Sequence, residues 1–451
     1  MKQYETYKDS GVEWESKIPS NWRVKKLGHI GDFTASGIDK KVLEDELPIK
    51  IINYTDVYGN ENKTIDSSFD FMIVTTIKEK IIEHSVNKGD LIFTPTSEST
   101  SEIGLSALVT EDLSETAFSY HVLRFQFKED LDIPFRKYLC NNHLVLNQFS
   151  IKAQGITRYT LRRADFKNTQ VFIPSPKEQT QIAAYLDHKT GLIDSIIAQK
   201  EALIKKLKEQ RQAIINEAVT KGLNPDVKLK DSGIEWLGEI PEHWEVIKLF
   251  GLCYLVRGNS SFKKDELLSN GTYVALQYGK TYKVNEVNEK YKFYVNDEFY
   301  KESQIVNYGD TIIISTSETI EDLGHSVFYN RKDLGLLGGE QLLLKAKNNK
   351  INPKYLFYST KVFLKDLRKN ATGVKVYRFN IHDLKNVFSP VPSILEQNLI
   401  VKHIETKSTT IDKVIIRSQT SIQKLKEYRQ SIISEAVTGK IDVRDWQAPK
   451  S

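Results

Sequence analysis

The sequence predicts an α+β protein built from two copies of one unit, each a mixed globular part closed by a long helix, with the two helices pairing antiparallel as a coiled coil. Three observations carry this. Motifs recur in the same order at a nearly constant spacing, each copy ends in an apolar seam preceded by a capping signal, and each globular part has Gly-Asp turns leading into β-forming runs. At 451 residues the chain exceeds one typical domain and suits two to four units.

The repeat is the first element to justify. Asp9-Ser10-Gly11-Val12-Glu13-Trp14 returns 222 residues later as Asp231-Ser232-Gly233-Ile234-Glu235-Trp236. Ile18-Pro19 and Trp22 return as Ile240-Pro241 and Trp244, so four of the five tryptophans are repeat-equivalent. Gly89-Asp90-Leu91-Ile92 matches Gly309-Asp310-Thr311-Ile312, and each is followed by Thr-Ser-Glu, at Thr96-Ser97-Glu98 and Thr316-Ser317-Glu318. Leu207-Lys208-Glu209-Gln210-Arg211-Gln212 corresponds to Leu425-Lys426-Glu427-Tyr428-Arg429-Gln430, and Glu217-Ala218-Val219-Thr220 to Glu435-Ala436-Val437-Thr438. Each half is therefore one complete structural unit, and a pseudo-two-fold axis is expected between them. Residues from about 30 to 85 and from about 252 to 305 match poorly, so one part of the unit keeps a common job while another has diverged.

The long helices follow from local chemistry. Ser175-Pro176-Lys177-Glu178 places Ser at the N-cap, Pro at the first helical position and Glu three residues after the Ser; Ser393-Ile394-Leu395-Glu396 repeats the box. Gly222 and Gly439 supply the stops. Between them Ile193, Ile197, Ile204 and Leu207, and likewise Ile411, Ile415, Ile422 and Leu425, fall on alternating three- and four-residue steps, the spacing of a coiled-coil seam. A break is expected between Asp187 and Gly191. Two amphipathic helices each packed on its own domain are the plainer alternative. Pairing is preferred because a pseudo-two-fold lets equivalent faces meet, and an antiparallel pair makes a rigid spacer. Polar seam members, Thr190, Lys200 and Arg211 in one helix and Ser408, Ser418 and Arg429 in the other, either fix register or mark a docking site for a partner protein.

In the globular parts, Lys88 to Phe93 and Tyr308 to Ile314 read as a turn entering a buried strand. Further strand signals surround Ile51 to Tyr54, Val122 to Phe125 and Tyr291 to Tyr294, and helical patterns lie near Phe135 to Asn147 and Tyr355 to Arg368. Two loops are candidates for contact with nucleic acid. Thr94 to Glu102, with Thr96 and Ser97, and Ser315 to Glu321, with Thr316 and Ser317, are dense in hydroxyls and carboxylates suited to base edges or phosphates. The stretch from Gly155 to Arg163, with Arg158, Tyr159, Arg162 and Arg163, parallels Gly373 to Arg378, with Lys375, Tyr377 and Arg378. Each sets a glycine, a tyrosine and clustered cations just before the capped helix, which suits backbone contact and groove insertion. The plainer reading makes both loops ordinary turns, with Tyr159 and Tyr377 in the core.

Composition excludes more than it selects. The formal charge of +5 permits a polyanionic partner without demanding one. No apolar run reaches the roughly 20 residues of a membrane span, and Met1-Lys2-Gln3-Tyr4-Glu5 has no signal-peptide character, so a cytoplasmic protein with no membrane partner is expected. Cys140 and Cys253 stand apart without metal spacing and read as small core residues. Gly279-Lys280-Thr281 resembles the end of a P-loop, but Val274 stands where its first glycine belongs. Asn352-Pro353-Lys354-Tyr355 departs from the Asn-Pro-Pro-Tyr motif of adenine methyltransferases at Lys354 and reads as a helix start. His29, His84, His121 and His143 lack ligand spacing. No catalytic residue and no metal site are expected.

Taken together, the opening Asp9 to Trp22 element and its copy at Asp231, the Ile173-Pro174-Ser175-Pro176-Lys177-Glu178-Gln179 element and its copy through Glu396-Gln397, and the closing Glu435 to Asp442 resemble the specificity subunits of type I restriction-modification systems across essentially the whole chain. The resemblance implies two target-recognition domains, residues 1–174 and 223–392, separated by an antiparallel helix pair, residues 175–222 and 393–451. It also implies a two-part site in double-stranded DNA, with one domain per half and the helices fixing the unread gap. The chain would assemble with two methyltransferase subunits and two restriction subunits and would not itself be an enzyme. It would bind no cofactor; S-adenosylmethionine, ATP and magnesium would sit on the partners. A coiled-coil scaffold that binds only protein is the alternative, and salt-sensitive DNA affinity separates the two.

Overall fold

The computed structural model describes residues 2–347, 350–373 and 375–449. By contacts the chain divides into two compact units, Met1–Lys200 with Gln419–Ser451, and Glu201–Ser418. Both are mixtures of helix and sheet. The boundary crosses the helices, so each unit owns the start of one long helix and the end of the other.

The same sheet recurs in both. In the first unit five strands lie in the order Gly31–Thr34, Leu123–Phe127, Leu91–Phe93, Ser106–Val109 and Thr64–Ile65. In the second the order is Cys253–Arg257, Gln341–Ala346, Thr311–Ile314, Ser326–Tyr329 and Glu286–Val287. Neighbours are antiparallel except the last pair of each sheet, which is parallel. The Gly-Asp motif enters the central strand. Gly89 and Gly309 take φ of +92° and +93°, a region glycine adopts without steric cost. The following carboxylates accept from the backbone N–H of Asn87 at 3.0 Å and of Asn307 at 2.8 Å. Burial pushes the Asp90 and Asp310 carboxyls up to about 6, against the hydrogen bonds and nearby cations that lower them.

The helical signals hold. Pro176–Lys221 is one helix and Ile394–Val437 the other. The break expected between Asp187 and Gly191 is absent. Asp187 accepts from the Tyr138 hydroxyl and the Lys137 ammonium, each at 2.6 Å, and Thr190 is buried beside Tyr138, so tertiary contacts hold the turn that Gly191 would loosen. The helical pattern near Phe135 to Asn147 is two helices, Ile133–Cys140 and His143–Lys152, each capped by an Asp or Asn side chain. Asn352 caps Pro353–Leu367, accepting from Lys354 and Tyr355. Gly279 to Thr281 lies in a four-residue helix, Tyr278–Thr281. Cys140 and Cys253 are buried, as expected.

Within each unit the two helical stretches run side by side in opposite senses. In the first, Ile193 is buried, Ile197, Ile422 and Leu425 are half-buried, and Arg429 donates to Asp194 at 3.0 Å. In the second, Ile411 and Ile415 are buried, Ile204 and Leu207 half-buried, and Arg211 donates to Asp412 at 2.8 Å. The seam arginines, repeat-equivalent in sequence, thus carry the same cross-helix ion pair in both units.

The tryptophan motif is explained at the helix ends. Gly439, φ +73°, ends one helix so close to Pro19 that a Cβ there would come within 2.4 Å of the ring, with Trp22 at 3.4 Å. Gly222, φ +77°, meets Trp244 in the same way at 3.1 Å. Glu178 receives hydrogen bonds from the Ser175 hydroxyl (2.6 Å), Asn21 (2.9 Å) and the Trp22 indole (3.2 Å), joining the helix start to the opening segment. Burial works to raise that carboxyl, but these donors outweigh it and hold it below the usual range. The next residue is as consistent. Gln179 accepts from Asp132 N–H and donates to the Pro174 carbonyl, while Gln397 accepts from Asn352 N–H and donates to the Pro392 carbonyl. Among the described residues, no helix is long and apolar enough to cross a membrane.

Candidate nucleic-acid interface

The two candidate loops of each half meet. In the first unit Thr96–Ser97 pairs antiparallel with Tyr159–Thr160; in the second Thr316–Ser317 pairs with Tyr377–Arg378. The basic loop folds back on itself as a hairpin through Gln154 and Thr160, whose backbones bond both ways at 3.1 and 2.8 Å. Thr372 and Arg378 do the same at 3.0 and 2.9 Å. The glycines are there for steric reasons. Gly155 has φ +140° and a Cβ would lie 2.1 Å from the Arg158 carbonyl; Gly373 has φ +123° and 2.0 Å from that of Val376. Val374 lies outside the described residues.

The cations are presented outward. Arg158, Arg162, Arg163, Lys375 and Arg378 are all exposed. Arg158 donates to the Thr96 hydroxyl at 3.1 Å and sits 5.9 Å from the Tyr54 ring centre. Arg162 donates to the Gln154 side chain, and its own N–H is accepted by Asp165, starting the helix Arg163–Lys167. Burial, then the nearby Lys40 and Arg158 charges, lowers the His121 pKa, so this imidazole sits in a locally positive field. Arg378 borders a cleft of about 210 Å³ that also takes in Arg257 and Glu340. Ile156 at the first hairpin tip is 93% exposed.

The hydroxyl candidates divide. Thr96 is half-buried and reaches Arg158. Ser97, Thr316 and Ser317, expected as candidates for contact with base edges or phosphates, are buried. Ser97 accepts from the Ser99 N–H at 3.1 Å and Ser317 from the Thr319 N–H at 3.2 Å, so both serines hold the turn that follows the strand. Tyr159 and Tyr377 are half-buried and lean on the two main cores, closer to the plainer reading than to an inserted finger.

A further element escaped sequence reasoning. Tyr54 and Tyr58 lie on one face of a short helix with rings 5.1 Å apart and near-parallel, and the Tyr58 hydroxyl donates to Glu102. Tyr278 and Tyr282 stack likewise at 6.2 Å, and Tyr282 donates to Asp322 at 2.7 Å. The signal was a Tyr-x-x-x-Tyr in each half, hidden inside the stretches that otherwise match least.

A hairpin with outward cations, laid on a strand and duplicated with its supporting sheet and helix roots, is matched by a family model described as type I restriction modification DNA specificity domain, over residues 19–206 and again over 241–424. This chain belongs to that family. Two specificity domains in one chain make it a type I specificity subunit, and both hairpins fall inside the matched stretches. The putative MjaX specificity subunit of Methanocaldococcus jannaschii is 24% identical over 95% of each chain. The MjaVIII specificity subunit of the same organism is also 24% identical over 95% of each, and the EcoKI specificity subunit of Escherichia coli K12 is 20% identical over 96% of this chain and 91% of that one. A solved chain from work on complex assembly and conformational transition of the type I R-M system superposes with a TM-score of 0.69 at 17% identity, covering 94% of this chain and 99% of that one. That likeness establishes the fold. A specificity subunit of this kind works with DNA and with other subunits of its system.

Proposed function

We propose that each specificity domain reads one half of a two-part site in double-stranded DNA, through the hairpin and the strand it pairs with, and that the long helices set the unread gap. The observation that carries this is the repeated ladder, Thr96–Ser97 with Tyr159–Thr160 and Thr316–Ser317 with Tyr377–Arg378, because the hairpin it anchors carries exposed cations in each unit, although at different positions. Cations there neutralise phosphates and position the chain, while neighbouring groups read base edges. The helix Pro176–Lys221 has 46 residues, about 70 Å at 1.5 Å per residue, and serves as the ruler. The chain itself does no chemistry. Two methyltransferase subunits with S-adenosylmethionine and two restriction subunits with ATP and magnesium supply it, and the complex acts in the cytoplasm.

Selection from random duplexes by the chain bound to a methyltransferase subunit tests this. One enriched two-part sequence, with affinity falling as salt rises, is expected. A protein-only scaffold would enrich nothing and show no salt dependence. Deleting Lys205 to Lys208 shortens the helix by about 6 Å and is expected to change the tolerated gap or abolish assembly. An unaltered gap in an intact complex contradicts the ruler.

A further inference from the structure

The turn after each reading strand presents a glutamate that the hairpin cations do not neutralise. Glu98 and Glu318 follow the paired serines, are exposed, and make no hydrogen bond or ion pair among the described residues. Their setting is the same in both units. Ser97 and Ser317 shape the turn through the same backbone bond, and a stacked tyrosine pair stands alongside with its second hydroxyl tied to a carboxylate. Burial raises the Tyr54 and Tyr278 hydroxyls, and the charges of Glu98 and Glu318 add to that rise.

A bare carboxylate on a face that meets a polyanion is repelled by every phosphate. It is tolerated there only where it finds hydrogen-bond donors, and the donors DNA offers in the major groove are the exocyclic amino groups of cytosine and adenine. The serines, the tyrosine pair and its carboxylate are kept in both halves although the sequence around the tyrosines has diverged, so the device serves a need both halves share.

We propose that Glu98 and Glu318 are specificity-determining residues, each accepting a hydrogen bond from the amino group of a cytosine or adenine in its own half-site. The serine turn, bonded the same way in both units, sets where each glutamate stands. This rests on the reading that the hairpins face DNA.

The test uses the chain assembled with its methyltransferase subunit and a random duplex library, comparing wild type, Glu98→Gln, Glu318→Gln and a triple Arg158→Ala, Arg162→Ala, Arg163→Ala variant. Glutamine keeps the shape and one acceptor but adds a donor. Each glutamine variant is expected to lose roughly tenfold or more of the discrimination at one position of one half-site, the two variants acting on different halves. The arginine variant is expected to lower affinity for all duplexes alike and to reduce the salt slope by up to about three. If the arginine variant behaves so while both glutamine variants select the wild-type site with unchanged ratios, or bind every sequence uniformly tighter, the proposal for the glutamates is overturned and the hairpin reading stands. If the arginine variant has no effect, the hairpin reading falls and this inference with it.

Discussion

The Trp22 pocket of the first unit and the Trp244 pocket of the second are assembled from the same parts, an Ile-Pro-x-x-Trp segment, a helix-start glutamate and a helix-end glycine. They close differently. Glu178 takes the Trp22 indole N–H, whereas Glu396 is bonded by His243 at 3.0 Å and the Trp244 N–H has no partner among the described residues. On the hairpin face the pattern reverses, with one backbone ladder under dissimilar side chains: Arg158 and Thr160 in one hairpin, Val376 and Arg378 in the other. Where a helix must be rooted, packing constrains identity and only a hydrogen bond drifts. In the hairpins the backbone pairing is retained and the side chains vary.

The pockets give the largest expected effect. Trp22 and Trp244 are both fully buried, and replacing either by alanine should cost about 3–5 kcal/mol, read as loss of one unit's cooperative unfolding transition. Phenylalanine sharpens the comparison. Trp22→Phe removes the donor to a buried carboxylate and should cost about 1.5–3 kcal/mol, while Trp244→Phe should be close to neutral in that respect. Equal losses would mean the two roots do not differ as described.

The Gly-Asp turns should behave alike in both units. Because Asp90 and Asp310 are raised to about 6 in the folded chain, the native state holds these protons more tightly than the unfolded chain does. That stabilisation is present below about pH 4 and is lost as pH climbs through about 6. Asp90→Asn and Asp310→Asn should therefore gain on wild type over that window, by up to about 3 kcal/mol each. Thermal melts from pH 4 to 7 that stay parallel for variant and wild type would contradict it.

The smallest effect concerns register. Removing Arg211 or Arg429 breaks equivalent cross-helix pairs whose partners are 48% and 42% exposed, so each loss should be about 0.5–1 kcal/mol. Denaturation in 1 M salt should shrink the difference.

What was legible in the sequence follows the reach of each interaction. Ser175, Glu178, Gly222 and the Ile193 to Leu207 spacing act within a few residues, so the helices could be read directly. The continuity at Gly191 could not, because Tyr138 and Lys137 supply it from another helix. The duplication revealed which loops correspond. It did not reveal that Thr96–Ser97 pairs with residues some 60 positions away, and that pairing is what buries Ser97, Thr316 and Ser317. The tyrosine pairs were missed because the neighbours of Tyr54 and Tyr278 differ, and the alignment that would have exposed them fails there.

The claim that each domain reads its own half can be tested by building a chain in which residues 31–160 are replaced by a copy of residues 253–378, and selecting duplexes with the assembled complex. A new site in which the second half-sequence occurs twice is the expected result. Selection of the original two-part site by that chain would contradict it.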